Sequence, residues 1–148
     1  MRPTKLHRRW TVRALTLTGA LGLLAACASM SDSMYTQQIT LSGANEVPPV
    51  STTAAGTGSV TINPDRSVSA KISVTGMTAT ASHIHEGAAG SNGPVIVPFT
   101  KTADNTFVAP DGAKLTESQY ASFKAGNLYV NVHSAKNPGG EVRAQLKP

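Results

Sequence analysis

Cysteine is nearly absent from this chain: Cys27 is the only one in 148 residues. A disulfide framework is thereby excluded, and a hydrophobic core must hold the fold. Histidine is almost as scarce, with four in all: His7, His83, His85 and His133. No internal repeat is present, so solenoid and array architectures drop out. An apparent basic excess is also missing from most of the chain. Five of the 13 Lys and Arg precede Cys27, and the eight that remain balance the eight Asp and Glu, all of which follow it. The formal charge of +5 therefore belongs to the N-terminal stretch. No basic patch is left to argue for nucleic acid.

The basic start is Arg2, Lys5, Arg8, Arg9 and Arg13, followed by an uncharged, mostly apolar run from Ala14 to Ala26. That run is too short to span a bilayer as a stable helix, and its order is that of a secretory signal peptide. Leu24-Ala25-Ala26-Cys27 resembles the bacterial lipoprotein box, which implies cleavage before Cys27 and lipid on that cysteine. Ordinary cleavage after Ala28, at Ala26-Cys27-Ala28, is the alternative. In lipoproteins of this type an Ala after the cysteine implies outer-membrane sorting, so the resemblance places the protein in the cell envelope. Residues 1–26 are thus expected as signal, 27–34 as a lipidated tether and 35–148 as the folded domain.

Within 35–148, short segments alternate apolar and polar residues between Gly, Pro, Asn and Asp punctuation, a pattern that argues all-β. Val68, Ala70, Ile72 and Val74 face one way while Ser67, Ser69, Lys71 and Ser73 face the other, after the turn Asn63-Pro64-Asp65-Arg66. Strands are also expected at Ile39 to Leu41, Gly58–Ile62, Ser82–Glu86, Val95–Phe99, Leu128–Val132 and Val142–Leu146. Pro98 puts its strand near an edge or bulge. The one helix candidate is Thr116–Lys124, capped by Thr116 and ended by Ala125-Gly126. The expected fold is an antiparallel Greek-key β-sandwich, immunoglobulin-like or superoxide-dismutase-like, with one short helix.

Two residues apart on a strand share a face. His83 and His85 therefore project together, with Ile84 directed to the core. On the later strand Leu128, Val130 and Val132 take the core, leaving Tyr129, Asn131 and His133 on the opposite face. All three histidines are expected on outward faces, converging if the strands are neighbours. Three imidazoles suit copper or zinc. Zinc wants a fourth ligand, copper(I) accepts three nitrogens, and copper(II) would add water or a carboxylate. Glu86 and Glu141 are the nearest carboxylates in sequence, as fourth ligands or as partners that orient an imidazole. Met30, Met34 and Met77 are soft donors in less suitable places. Tyr129 is read as packing over the sheet edge. No Ser-His-Asp set is credible.

Several ordered motifs carry a family resemblance. They are Leu41-Ser42-Gly43-Ala44-Asn45-Glu46-Val47-Pro48-Pro49, His83-Ile84-His85-Glu86-Gly87, Gly93-Pro94-Val95, and Gly126 to Ser134 with Asn137-Pro138-Gly139-Gly140-Glu141-Val142-Arg143. With these the stretch from Tyr35 onward resembles a CHRD domain, the module named after chordin, which implies an extracytoplasmic β-sandwich. A weaker local resemblance is to copper-zinc superoxide dismutase. It rests on Gly58 to Ile62, Val74 to Met77 and the His83-Ile84-His85 run, with His133 in the place of a later copper histidine. The bridging histidine, the further zinc-loop histidine and the disulfide of that family are missing, and Arg143 is the sole candidate for a guiding arginine.

Three functions follow as expectations: an envelope lipoprotein binding copper or another transition metal through His83, His85 and His133; a structural or protein-interaction module in which Asn45-Glu46-Val47-Pro48-Pro49 and the Gly-rich loops contact an unidentified protein partner while the histidines hold loops in place; and a one-copper dismutase-like enzyme. The lipoprotein reading predicts a mature membrane-fraction protein beginning at lipidated Cys27, to be read by mass spectrometry. An unmodified chain beginning at Ser29 rules it out.

Overall fold

The computed structural model describes residues 34–148. The expected signal segment, Cys27 and the expected tether apart from Met34 lie outside the described residues. Nine strands and one α-helix are present among the described residues. The strands are β1 (Tyr35–Ser42), β2 (Ala55–Ile62), β3 (Val68–Thr75), β4 (Ala79–Glu86), β5 (Val95–Pro98), β6 (Thr100–Ala103), β7 (Thr106–Val108), β8 (Leu128–Ser134) and β9 (Val142–Leu146). The helix is α1 (Glu117–Lys124). No helix among the described residues is long and apolar enough to cross a membrane. The fold is all-β and antiparallel with one short helix, as the sequence implies.

All nine strands join one ladder in the order β5-β4-β8-β9-β1-β2-β3-β7-β6. The join between β9 and β1 is a single registered pair, Ser42 opposite Arg143. The sheet thus has two halves that meet at a corner. Crossover connections put β8 beside β4, β9 beside β1 and β7 beside β3. Side chains from both halves share one core, including Leu41, Ile62 and Ile72 from one and Ile84, Val130 and Val142 from the other. The β1–β2 and β2–β3 ladders run through eight pairs each, fixed in register by the period-two pattern.

Helix α1 begins with a capping box. Thr116 Oγ1 accepts from Gln119 N, and the Gln119 side chain accepts from Thr116 N. Gly126, at φ 76°, follows the last turn, as the sequence suggests. Tyr120 and Phe123 bury the helix against the core. Strand β5 is indeed at an edge, and its register with β4 shifts between Ile84 and His85.

The hairpin β6–β7 is absent from the expectation. All four β6 side chains are exposed, so no alternation marks that strand. Asn105, at φ 56°, makes the turn. Its side chain accepts from Ala79 N at 2.9 Å and donates to Met77 O at 2.8 Å, tying the hairpin to the start of β4. Strands β2 and β4 each begin three residues earlier than the sequence suggests.

Ile84 separates His83 from His85 and is fully buried on the core face. Ile84→Ala should lower the unfolding free energy by about 2–5 kcal/mol, as for other large-to-small core changes. Denaturant midpoints of both proteins at neutral pH measure it; a change under about 1 kcal/mol contradicts this packing.

Candidate metal centre

Strands β4 and β8 lie side by side, as the sequence requires for a shared site. His83 stands opposite Asn131, His85 opposite Tyr129, and His133 opposite Ala81. The three imidazoles gather on the face away from Ile84 and Val132. That face lies opposite the core, as expected, but loops cover it, so the rings are not open to solvent. His85 is 8% exposed and His133 9%, and all seven residues of β8 are buried. Only His83 is half-buried.

The cover is the 87–94 loop together with the 137–140 turn, and Arg143 ties the loop down. Its guanidinium donates to Ala88 O, Ser91 O, Asn92 Oδ1 and Gln145 Oε1 at 2.9–3.3 Å. It also lies 3.4 Å from the Tyr129 ring centroid. His85 stacks on the same ring, with centroids 4.8 Å apart and planes 9° from parallel. Strands β4 and β9 flank β8, so His85 and Arg143 reach Tyr129 from opposite sides. The Tyr129 hydroxyl accepts from Gly93 N at 3.2 Å. Tyr129 is therefore the centre of the cover and does not lie over a sheet edge. Gly93 can be nothing larger, because a Cβ there would stand 1.7 Å from Glu86 O.

Two backbone carbonyls set the histidine tautomers. His85 Nδ1 is 2.9 Å from Gly93 O, and His133 Nδ1 is 2.9 Å from Pro138 O. A carbonyl only accepts, so each Nδ1 carries the hydrogen and each Nε2 of the neutral ring keeps its lone pair. His133 Nε2 is 3.0 Å from His83 Nδ1, which must then be the donor of that bond. His85 Nε2 is buried with no partner. One donor atom from each ring lies within 4.8 Å of the others. Bonds of about 2.0–2.1 Å to a shared ion need donors roughly 3.3–3.6 Å apart, so the rings must shift by about an ångström. The donor set fits a late transition metal: each of the two buried rings gives its other N–H to a carbonyl, the arrangement that commonly orients metal-bound histidine.

Burial drives the pKa values down. The His83 ring falls to about 4 through burial and through repulsion from His133 and His85. His85 is lowered by burial, opposed by the Gly93 carbonyl and Asn131. His133 is lowered by burial, opposed by the Pro138 carbonyl. Neutral rings are thus the stable form at neutral pH.

The carboxylates nearest in sequence do not join the histidines. Glu86 Oε1 accepts from Ser122 Oγ of α1. Glu141 accepts from Thr52 Oγ1 at 2.7 Å and from Ser134 Oγ. Burial pushes its carboxyl up, but bonds from Ser134, Thr52 and Asn137 outweigh that and hold it below the usual range. Arg143 is 1% exposed and spent on loop acceptors, so it cannot guide an anion to the histidines. Met77 packs against the core, and Met34 is exposed. Met30 lies outside the described residues.

Two further polar residues stand near the histidines without having been expected there: Glu46, expected in a loop that contacts another protein, and Asn131. Glu46 is 5% exposed, and burial raises its carboxyl to about 7 although the Arg143 charge opposes the rise. Asn131 is 2% exposed. Glu46 Oε1 and Asn131 Oδ1 are buried without partners, like His85 Nε2. Asn131 could have been suspected, since it shares the polar face of β8 with His133. Glu46 lies in the Leu41–Pro49 motif, but nothing in that motif shows that its loop, 85 residues from Asn131, carries it to the histidine face.

Comparison with known families gives one match: the model of the CHRD domain covers residues 37–146. No curated protein and no solved structure matches.

The lowered histidine pKa values set a pH window. A ring kept neutral by the fold stabilises it fully above the unfolded pKa near 6.5, and that contribution is lost as pH falls toward the folded value. Metal-free protein should therefore lose stability between about pH 6.5 and about pH 4, the lower limit being that of His83. In His83→Gln the loss should be smaller, as read by denaturant midpoints at pH 7 and pH 5. Equal losses in both proteins would show that the fold does not hold the His83 ring below its ordinary pKa.

Proposed function

The chain belongs to the CHRD-domain family, and on that premise we propose that it is an envelope lipoprotein whose domain binds copper, or another late transition metal such as zinc, through His83, His85 and His133. The observation that carries the reading is the His85 ring. Its Nδ1–H is committed to Gly93 O while its Nε2 lone pair is buried and unpartnered beside two further imidazoles. An unpaired buried acceptor costs about 1–3 kcal/mol, and a shared ion would remove that cost. Nitrogen-rich sites favour copper among the divalent ions on affinity. His83 is the accessible ligand and gives the ion an entrance, whereas His85 and His133 are held from behind.

The proposed task is sequestration, delivery or redox protection. Catalysis is disfavoured, because the one candidate guiding arginine is buried under its own loop. The lipid on Cys27, inferred from the sequence, would anchor the domain to the outer membrane. The alternative is a structural module in which the histidines only pin loops. It draws on the bonds to Gly93 O and Pro138 O. It leaves His85 Nε2 unexplained, so the metal reading is preferred.

Copper(II) titration into tag-free protein at neutral pH should show one tight site. His83→Ala is the cleanest ligand deletion because that ring is the least buried. It should weaken binding by more than about 100-fold, given that loss of outer partners alone costs 10- to 100-fold. Affinity should stay nearly level from about pH 8 through about 6.5 and fall only at more acid pH, as the lowered pKa values of the folded rings are approached and protons compete with the ion. Equal affinity in wild type and His83→Ala, or no binding to either, removes the proposal.

A further inference from the structure

Asn131 occupies the middle of the histidine face. It is opposite His83 across the β4–β8 ladder and two residues before His133 on the same strand face. Its Nδ2 donates to Gly139 O at 3.4 Å, which turns Oδ1 away from the 137–140 turn. That Oδ1 is placed to accept from the His85 ring if the ring were protonated, which is why Asn131 opposes the fall in its pKa. In the neutral tautomer fixed by Gly93 O, however, His85 Nε2 has no hydrogen to give. His85 Nε2 and Asn131 Oδ1 are thus two buried acceptors on one face of the β4–β8 pair, and neither has a hydrogen-bond partner. What such a pair lacks is a positive centre between them.

Glu46 supports this orientation from behind. Gly140 has φ 136°, and a Cβ there would stand 2.5 Å from Glu46 Oε1 and 2.7 Å from Asn131 Nδ2. The glycine lets the carboxyl and the amide nitrogen close on the same space. A carboxyl oxygen on that side favours the amide's N–H end and leaves its oxygen toward His85.

We propose that Asn131 Oδ1 is the fourth donor of the centre, with Glu46 as a positioning residue, giving three nitrogens and one oxygen for a divalent ion, zinc(II) or copper(II), in preference to copper(I). The inference rests on the three-histidine reading. It deepens that reading by choosing the oxidation state. An amide oxygen is a hard donor that a divalent ion uses and that soft, three-coordinate copper(I) does not need.

The test is the affinity of wild type, Asn131→Ala and Asn131→Asp for zinc(II) and for copper(I), measured by competition with chelators on the folded, tag-free domain. Asn131→Ala should lower the ratio of zinc to copper(I) affinity about tenfold or more, within the range for losing one supporting partner. Asn131→Asp keeps the shape, adds a charged oxygen and should raise zinc affinity above wild type. Should Asn131→Ala fail to fold, Asn131→Asp decides alone: zinc affinity at or below wild type overturns the proposal. An unchanged metal ratio in Asn131→Ala overturns it equally, by showing that the amide merely hydrogen-bonds within the face. Wild type that binds neither metal overturns the three-histidine reading itself, and wild type reports that outcome before any Asn131 variant is measured.

Discussion

A buried guanidinium needs acceptors for its donors, and much of the polar half of this molecule is arranged around that requirement. Arg143 emerges from β9 onto the face away from the core, and the 87–94 loop supplies the carbonyls of Ala88 and Ser91 and the side chain of Asn92. In taking those bonds the arginine holds the loop against the sheet. The held loop then brings Gly93 O to His85, while the guanidinium packs on the Tyr129 ring against which His85 stacks. Removing that one charge would leave the loop carbonyls without donors and the imidazole without its backing. The organisation of the centre thus begins one strand away from any of its ligands.

The same constraint explains why strand β8 can be buried on both faces. A strand whose outward face carries Tyr129, Asn131 and His133 would ordinarily be half solvated. Here loop backbone takes the place of water. Gly93, Pro138 and Gly139 each offer a carbonyl to a side chain on that face. The glycines and prolines at 87–94 and 137–140 are punctuation in the sequence and hydrogen-bond partners in the fold. Three acceptors escape this satisfaction, at His85, Asn131 and Glu46, and they lie in one region of the molecule.

Period-two alternation made most of the architecture legible. Val68 to Val74 read as a strand, Leu128 to Val132 fixed which face His133 occupies, and Thr116 with Gly126 bounded the helix. Alternation also placed His83 and His85 together. Pairing β4 with β8 was an assumption at that stage, because nothing in a strand's own residues names its neighbour. Two features were out of reach for related reasons. The β6–β7 hairpin lies at an exposed edge, where no burial imposes a pattern. The cover over the histidines comes from loops whose path depends on Arg143. An alternating strand shows that a face is polar, but it does not show whether water or backbone meets it. Glu46 belongs to the same class, since a loop carries it to the site.

His83 and His133 lie 50 residues apart in the chain and meet only through the β4–β8 ladder. Before that ladder closes, the chain offers an ion no more than the His83-Ile84-His85 pair, because the third imidazole is still separated by the entropy of a long loop. On the proposed metal-binding reading, the unfolded chain would then hold an ion poorly compared with the finished domain. Connectivity on that reading sets an order of events: folding closes the β4–β8 ladder first, and an ion can be held by all three rings only afterwards.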